Sequence, residues 1–173
     1  MTSEKVLVDI DTRGVGTITL NYPEKHNVFD DGVILELTEA LTGLAATPEL
    51  RVLILASAGK TFCAGGDISW MQRMARYTYD ENLKDAEILA TMLKTLNFFP
   101  RPTIARVQGA AFGGAVGLVA CCDIAVAAVE AGASDFFIRG VESVEALEVR
   151  AHRAVENSRR ARLYLHLIAI LHR

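Results

Sequence analysis

The sequence of 173 residues predicts an α/β domain followed by a tail of a different character. Short apolar runs alternate with segments whose apolar residues recur at helical spacing, which is the order of strand and helix in α/β folds. Hydrophobic residues make up 51% of the chain and charged residues 23%, which is sufficient for a buried core. After about residue 128, glycine becomes rare and proline is absent, so the α/β pattern is predicted to end there.

The pattern begins with a hairpin. Two alternating runs, Val6 to Asp11 and Thr17 to Asn21, flank a turn that contains two glycines. After a polar loop, apolar residues at helical spacing predict a helix that Asp30 or Asp31 caps and that ends near Thr47.

The following elements alternate strands with helices. The run from Arg51 to Ser57 is nearly continuously apolar, which predicts a strand covered on both faces. A short helix is predicted from about Asp67, and a longer one from about Asp80, a plausible cap, to Phe99, where prolines stop it. Beyond it the pattern predicts strands over 103–108 and 124–128 and a helix over 115–122.

The tail, residues 129–173, is predicted to be helical. Seven of the thirteen arginines lie between residues 139 and 173. Apolar residues recur at helical spacing on two faces, one with Val141, Val144, Leu147 and Ala151 and the other with Leu163, Leu167, Ile170 and Leu171. We expect this tail to pack on the protein's own core or on a partner subunit in a homo-oligomer; a membrane surface is the alternative.

Composition and charge exclude several classes of function. Lys and Arg number 18 against 21 Asp and Glu, so no overall positive field attracts nucleic acid or anionic lipid. No apolar run reaches the roughly 18 to 20 residues that span a bilayer, and the start does not resemble a signal peptide. We therefore expect a cytoplasmic location, with Cys63, Cys121 and Cys122 as free thiols. The cysteines and the four histidines lack metal-site spacing, so no metal is expected.

Two glycine-bearing loops are the most informative feature. The segments KTFCAGGDI (Lys60 to Ile68) and QGAAFGGAVG (Gln108 to Gly117) each follow a predicted strand and each open a helix. Glycine allows close backbone approach, and helix starts leave N–H groups unpaired. Two such loops facing one point would form an oxyanion hole, which stabilises negative charge developing on a carbonyl oxygen. Tight structural connections are the alternative, and neither loop matches a phosphate-binding, dinucleotide-binding or nucleophile-elbow pattern.

Three segments together resemble the crotonase, or enoyl-CoA hydratase/isomerase, family. They are YPEKHNVFD (Tyr22 to Asp30), KTFCAGGDI, and RVQGAAFGGAVGLVACCDIAVAA (Arg106 to Ala128), and the resemblance covers about residues 5–128. The third segment is most similar to the methylglutaconyl-CoA or carboxygeranoyl-CoA hydratase branch. The resemblance implies a crotonase-like spiral of ββα units over residues 1–128, incomplete at its C-terminal end, where the helical tail follows.

The resemblance also implies a ligand and a set of residues that bind it. An acyl-CoA thioester would bind with its carbonyl oxygen held by two backbone N–H groups, which by position are those of Ala64 and Gly114. Coenzyme A enters only as part of the substrate, so no separate cofactor is implied. The remaining substrate-binding residues are implied to be Lys25, Gly66, Asp67, Ile68 and Gly113, with Trp70 and Met71 bordering the acyl pocket. The alternatives are a solvated charge for Lys25, a helix cap for Asp67 and a core side chain for Trp70.

The family's acid–base residues are not at their usual positions. Its hydratases commonly use two glutamates, three residues after the second oxyanion glycine and about twenty residues further on. Here those positions hold Gly117 and Phe137, and Glu142 is the nearest substitute, with a solvated glutamate as the alternative. We expect hydration of an α,β-unsaturated acyl-CoA such as 3-methylglutaconyl-CoA; the alternative is a catalytically impaired acyl-CoA-binding or assembly protein on the same scaffold. An altered reading frame or a truncated gene is a hypothesis for the change after residue 128, and resequencing tests it.

Overall fold

The computed structural model describes residues 4–128, which form a five-stranded sheet and four α-helices. The strands are β1 (Val6–Ile10), β2 (Val15–Leu20), β3 (Val52–Ser57), β4 (Thr103–Val107) and β5 (Ile124–Ala127). The helices are α1 (Asp31–Ala45), α2 (Ile68–Met74), α3 (Tyr79–Asn97) and α4 (Gly114–Cys121), and a 3₁₀ helix covers Pro23–Lys25. The predicted α/β class is confirmed. The predicted tail helices, Phe137 and Glu142 lie outside the described residues.

The order of the strands in the sheet follows their order in the chain. β1 runs antiparallel to β2, and the pairs from β2 to β5 are parallel. Parallel neighbours need crossover connections, which α1, then α2 with α3, and then α4 provide. The C-terminal ends of β3 and β4 therefore lie side by side, and the loops that follow them leave the same edge of the sheet.

The hydrophobic core extends from the sheet to these loops. β2 alternates half-buried and buried residues, and all six residues of β3 are buried or half-buried. α1 packs against α3 and buries one face, composed of Val33, Ile34, Leu37, Leu41 and Leu44. Phe62, in the loop after β3, and Ala115, in α4, belong to the same core cluster. The loops are thus anchored by burial. Within residues 4–128, none of the helices combines the length and apolar character needed to cross a bilayer.

Aspartate side chains cap the N-terminal ends of α1 and α2. Asp30 caps α1, because its Oδ1 accepts a hydrogen bond from the N–H of Val33 at 2.9 Å. Asp67 caps α2, with its Oδ1 accepting from the N–H of Trp70 at 3.0 Å. Both satisfy donors that a helix start leaves unpaired. The alternative stated for Asp67, a helix cap, is therefore what the structure shows.

The start of α3 corrects the predicted cap. Thr78, not Asp80, precedes the helix, and its hydroxyl accepts a hydrogen bond from the N–H of Glu81 at 3.3 Å. The N–H of Thr78 donates in return to the Glu81 carboxylate at 2.7 Å. This reciprocal pair is a capping box, and it satisfies two donors at once. Asp80 lies inside the first turn instead.

Candidate functional site

The two glycine loops lie side by side at the edge where β3 and β4 end. We define loop 1 as residues 58–67 and loop 2 as residues 108–113. Cys63 and Ala111 form an isolated parallel bridge between them. The N–H of Cys63 donates to the carbonyl of Ala110 at 3.2 Å, and the N–H of Phe112 donates to the carbonyl of Cys63 at 3.0 Å. The separation of the two loops is therefore set by backbone hydrogen bonds.

The predicted first oxyanion donor, Ala64, is not available in this structure. Its N–H donates to the carbonyl of His26 at 2.9 Å and is therefore already paired within the protein. Four neighbouring N–H groups also donate within the protein, those of Phe62, Cys63, Gly65 and Asp67. Between residues 62 and 67, only the N–H of Gly66 has no hydrogen-bond partner among residues 4–128. Gly66 is half-buried and takes the place of Ala64 as the candidate donor.

The second predicted donor, Gly114, does have an available N–H. It is the first residue of α4, and its N–H has no partner within the described part of the chain. The next two N–H groups, of Ala115 and Val116, turn back to the carbonyls of Phe112 and Gly113. Gly114 is also exposed. A helix start carries a partial positive charge, which favours an anionic or polarised oxygen at this N–H.

Gly65 lies between the two available N–H groups: it precedes Gly66 in the chain and lies next to Gly114 in space. Its φ of +89° is a left-handed conformation that glycine adopts readily. A Cβ at Gly65 would lie 2.8 Å from the carbonyl oxygen of Phe112 and 3.6 Å from the nitrogen of Gly114. Since Gly66 is the next residue, its N–H lies in the segment that contacts the start of α4. That both N–H bonds point at one atom stays a prediction.

Helix α2 lies against Gly66 and adds apolar surface. A Cβ at Gly66 would lie 3.7 Å from the Trp70 ring and 3.8 Å from the sulfur of Met71. Trp70 is buried, and its indole N–H donates to Asp85 of α3 at 3.2 Å, which favours the core alternative for this residue. The exposed apolar side chains of this region belong to Ile68, Met71 and Phe112. The candidate site therefore combines main-chain donors with accessible apolar surface, as ligand sites commonly do.

Lys25 and Asp67 form an ion pair beside loop 1. The Lys25 ammonium lies 3.8 Å from Oδ2 of Asp67 and 5.5 Å from the centre of the Tyr22 ring. The N–H of Trp70, together with this lysine, holds the pKa of Asp67 below its ordinary value. Tyr22, and then Asp67, raise the pKa of Lys25. Lys25 is thus an exposed cation held near the site by two partners.

The position at which the family resemblance implies a first catalytic glutamate has apolar surroundings. Gly117 lies in α4, and a Cβ there would lie 3.5 Å from a methyl group of Leu93 in α3. Residues 4–128 also contain no group of three His, Cys, Asp or Glu side chains placed to hold a metal ion. The described part of the site therefore offers main-chain N–H donors and no carboxylate at position 117.

Substituting Gly114 should destabilise the protein through Phe29. A Cβ at Gly114 would lie 2.5 Å from Cζ of the buried Phe29 ring. We expect Gly114→Ala to lower the free energy of unfolding by about 1 to 3 kcal/mol, measured by denaturant titration. Adding Phe29→Leu removes the contacted atom, so the double variant should lose less than the two single losses summed.

Gly43→Ala is the matched control for this pair. Gly43 lies inside α1, and a Cβ there meets no atom within 4 Å. That variant should be as stable as the original chain or more stable, because alanine favours helix over glycine. Strictly additive losses for Gly114→Ala and Phe29→Leu would contradict the steric explanation.

Comparison with known proteins assigns a family to this arrangement. The family model for enoyl-CoA hydratase/isomerase matches residues 11–141. A probable enoyl-CoA hydratase of Mycobacterium bovis is 40% identical over 128 residues, which are 74% of this chain and 48% of the relative. A crystal structure of an enoyl-CoA hydratase from Shewanella pealeana has 40% identity and a TM-score of 0.70, and the match covers 72% of this chain and 46% of that one. The chain spans about half the length of the curated relatives that it matches.

Proposed function

The chain belongs to the enoyl-CoA hydratase/isomerase family, and from that membership we propose that it binds an acyl-CoA thioester. In this proposal the N–H groups of Gly66 and Gly114 donate to the thioester carbonyl oxygen. The family predicted from the three sequence segments is confirmed. The methylglutaconyl-CoA branch, the homo-oligomer and the cytoplasmic location stay predictions.

The observation that carries the proposal is the pair of available N–H groups, one in loop 1 and one at the start of α4 directly after loop 2, with the two loops joined by the Cys63–Ala111 bridge. Donors on a hydrogen-bonded backbone are held in place before the ligand arrives. They therefore need little reorganisation when negative charge develops on the carbonyl oxygen, which is what makes such donors effective in catalysis. Backbone donors also carry no charge that a nearby carboxylate could neutralise.

The rest of an acyl-CoA has matching chemistry around this pair. Ile68, Met71 and Phe112 present apolar surface suited to an acyl chain or to pantetheine. Lys25 supplies a positive charge suited to the phosphates of the nucleotide. Asp67 acts indirectly, because its carboxylate caps α2 and holds Lys25. Gly113 precedes α4 with a φ of 53°, and this left-handed conformation sets the direction in which Gly114 starts the helix.

The proposed reaction is hydration of an α,β-unsaturated thioester. Donation to the carbonyl oxygen withdraws electrons from the conjugated double bond, so that water adds at the β-carbon and the resulting enolate takes a proton at the α-carbon. Gly117 supplies no acid or base. In an active form, Glu142 is the candidate for proton transfer that the sequence offers.

The second candidate function is acyl-CoA binding without turnover. Gly117, at the position of a family glutamate and against Leu93, favours this candidate. General acid–base catalysis contributes about 10²- to 10⁴-fold, so a chain that lacks both carboxylates binds and polarises its ligand but hydrates it poorly. The two candidates share the same binding site and differ only in the rate of proton transfer.

Calorimetric titration of the full chain with acetyl-CoA tests the site that both candidates share. We expect saturable binding that is stronger than binding of free CoA, since only the thioester has the carbonyl oxygen. Absence of binding at millimolar acetyl-CoA would reject both candidates. Steady-state assays with crotonyl-CoA and 3-methylglutaconyl-CoA then separate them, because turnover well above buffer rejects binding without turnover.

A further inference from the structure

The Cys63 side chain is buried in loop 1 and has no part in the function proposed so far. We propose that Cys63 is a positioning residue, whose sulfur holds the turn that presents the N–H of Gly66 to the ligand. This inference rests on the proposed function, since it concerns the same two donors. It assigns no covalent step to the thiol.

The sulfur closes a turn immediately before Gly66. Cys63 is fully buried, and its Sγ accepts a hydrogen bond from the N–H of Gly65 at 3.3 Å. A side chain that accepts from the N–H two residues later is the geometry of Asx and ST turns, in which oxygen has the role of this sulfur. The bond restrains Gly65 in its left-handed conformation, with φ of +89°. The orientation of the next peptide group, which carries the Gly66 N–H, follows from that conformation.

The backbone of the same residue sets the position of the second donor. Through its N–H and carbonyl, Cys63 bonds to Ala110 and Phe112 of loop 2. Phe112 lies two residues before Gly114, and its carbonyl would contact a Cβ at Gly65. One residue therefore connects the turn before Gly66 with the segment before Gly114. Loss of its side-chain acceptor should disturb the alignment of the donors while leaving the backbone bridge in place.

The protonation state of the thiol suits this position. Burial raises the pKa of Cys63 to about 11, so the group is a neutral thiol at neutral pH. A neutral sulfur accepts a hydrogen bond, although weakly. It also adds no negative charge beside the oxygen on which enolate charge would develop, whereas a thiolate would repel that charge.

The test uses the full chain with cinnamoyl-CoA as the probe. Donors that draw electrons onto a conjugated carbonyl oxygen move its absorption to longer wavelength, so the shift on binding reports the alignment of the donors. In Cys63→Ala we expect the shift to fall to about half of the original value or less. The dissociation constant for free CoA, which lacks the carbonyl, should stay within about twofold. Cys63→Ser keeps an acceptor and should restore the shift.

Two further variants separate positioning from general destabilisation. Cys63→Val fills the buried volume without an acceptor and should lose the shift as Cys63→Ala does, which keeps the test decisive if the alanine variant does not fold. Cys121→Ala removes another free thiol, at the end of α4, and should keep the full shift. Amide exchange at Gly65, followed by NMR, should accelerate about threefold to tenfold in Cys63→Val and Cys63→Ala.

The outcomes distinguish this inference from the proposed function. An undiminished shift in folded Cys63→Ala or Cys63→Val overturns the positioning role and leaves the proposed function standing. An equal loss in Cys121→Ala also overturns it, because the effect would then be general. Absence of any shift in the original chain rejects the polarisation of the carbonyl itself, and the positioning role is rejected with it.

Discussion

Gly66→Pro should lower thioester turnover by about 100- to 1000-fold, because proline has no N–H and one oxyanion donor is worth that much in catalysis. The N–H of Gly66 donates to no residue within 4–128, so proline removes no hydrogen bond found there. The bridge between Phe29 and Gly66 uses the carbonyl of Gly65 and the N–H of Asp67 instead. Turnover of crotonyl-CoA measures the effect; if the chain only binds, the absorption shift of bound cinnamoyl-CoA should be lost.

Gly66→Ala is the control for the proline variant, because it retains the N–H. Its Cβ would lie 3.7 Å from the Trp70 ring and 3.8 Å from the Met71 sulfur, which are ordinary contact distances. We expect activity close to that of the original chain, and denaturant unfolding establishes that both variants fold. Equal losses in folded alanine and proline variants would show that Gly66 acts by its size rather than by its N–H.

Asn27→Ala should have the largest effect on stability, lowering the free energy of unfolding by about 3 to 5 kcal/mol. The side chain is buried, and its amide nitrogen donates to the carbonyls of Ala58 at 2.7 Å and Thr61 at 2.9 Å. Its amide oxygen accepts from the N–H of Tyr22 at 2.8 Å. Alanine leaves three backbone groups without these bonds. Position 27 also has a left-handed backbone conformation, with φ of 54°, which asparagine tolerates better than alanine does.

Two variants place limits on the explanation for Asn27. Asn27→Asp keeps the acceptor for Tyr22 and loses both donors, so it should also be strongly destabilised. Asn21→Ala removes an exposed hydrogen bond to the carbonyl of Glu4 and should change stability by about 0.5 kcal/mol or less. A loss below about 1 kcal/mol for Asn27→Ala, measured by denaturant titration, would be inconsistent with a buried network that anchors loop 1.

Elements with a strong local pattern could be predicted from the sequence. The apolar run predicted as a strand over 51–57 forms β3 at Val52–Ser57, because continuous apolar residues suit a strand that is covered on both faces. The start of α3 was predictable too, although an isolated Asp80 proved the wrong signal. Thr78 and Glu81 have the spacing of a capping box, which satisfies two donors where a single aspartate satisfies one.

The candidate site was only partly predictable, because the partners of its N–H groups are distant in sequence. Spacing brings both Ala64 and Gly66 into the same loop. The two residues differ because the carbonyl of His26 accepts a hydrogen bond from the N–H of Ala64, whereas the N–H of Gly66 has no partner among residues 4–128. Gly114 was assigned from the family resemblance, and its place at a helix start, where N–H groups lack intrahelical partners, agrees with that assignment. The role of Asn27 likewise depends on contacts with loop 1 that no local pattern reveals.

The reliance of this site on peptide groups has an evolutionary consequence. Coding changes at Gly66 alter what is attached to the α-carbon, but among the standard amino acids only proline abolishes the amide hydrogen. Acid–base groups, by contrast, are side chains and vanish with a single replacement. In the proposed site, a single mutation can therefore remove an acid–base group while the two main-chain donors remain.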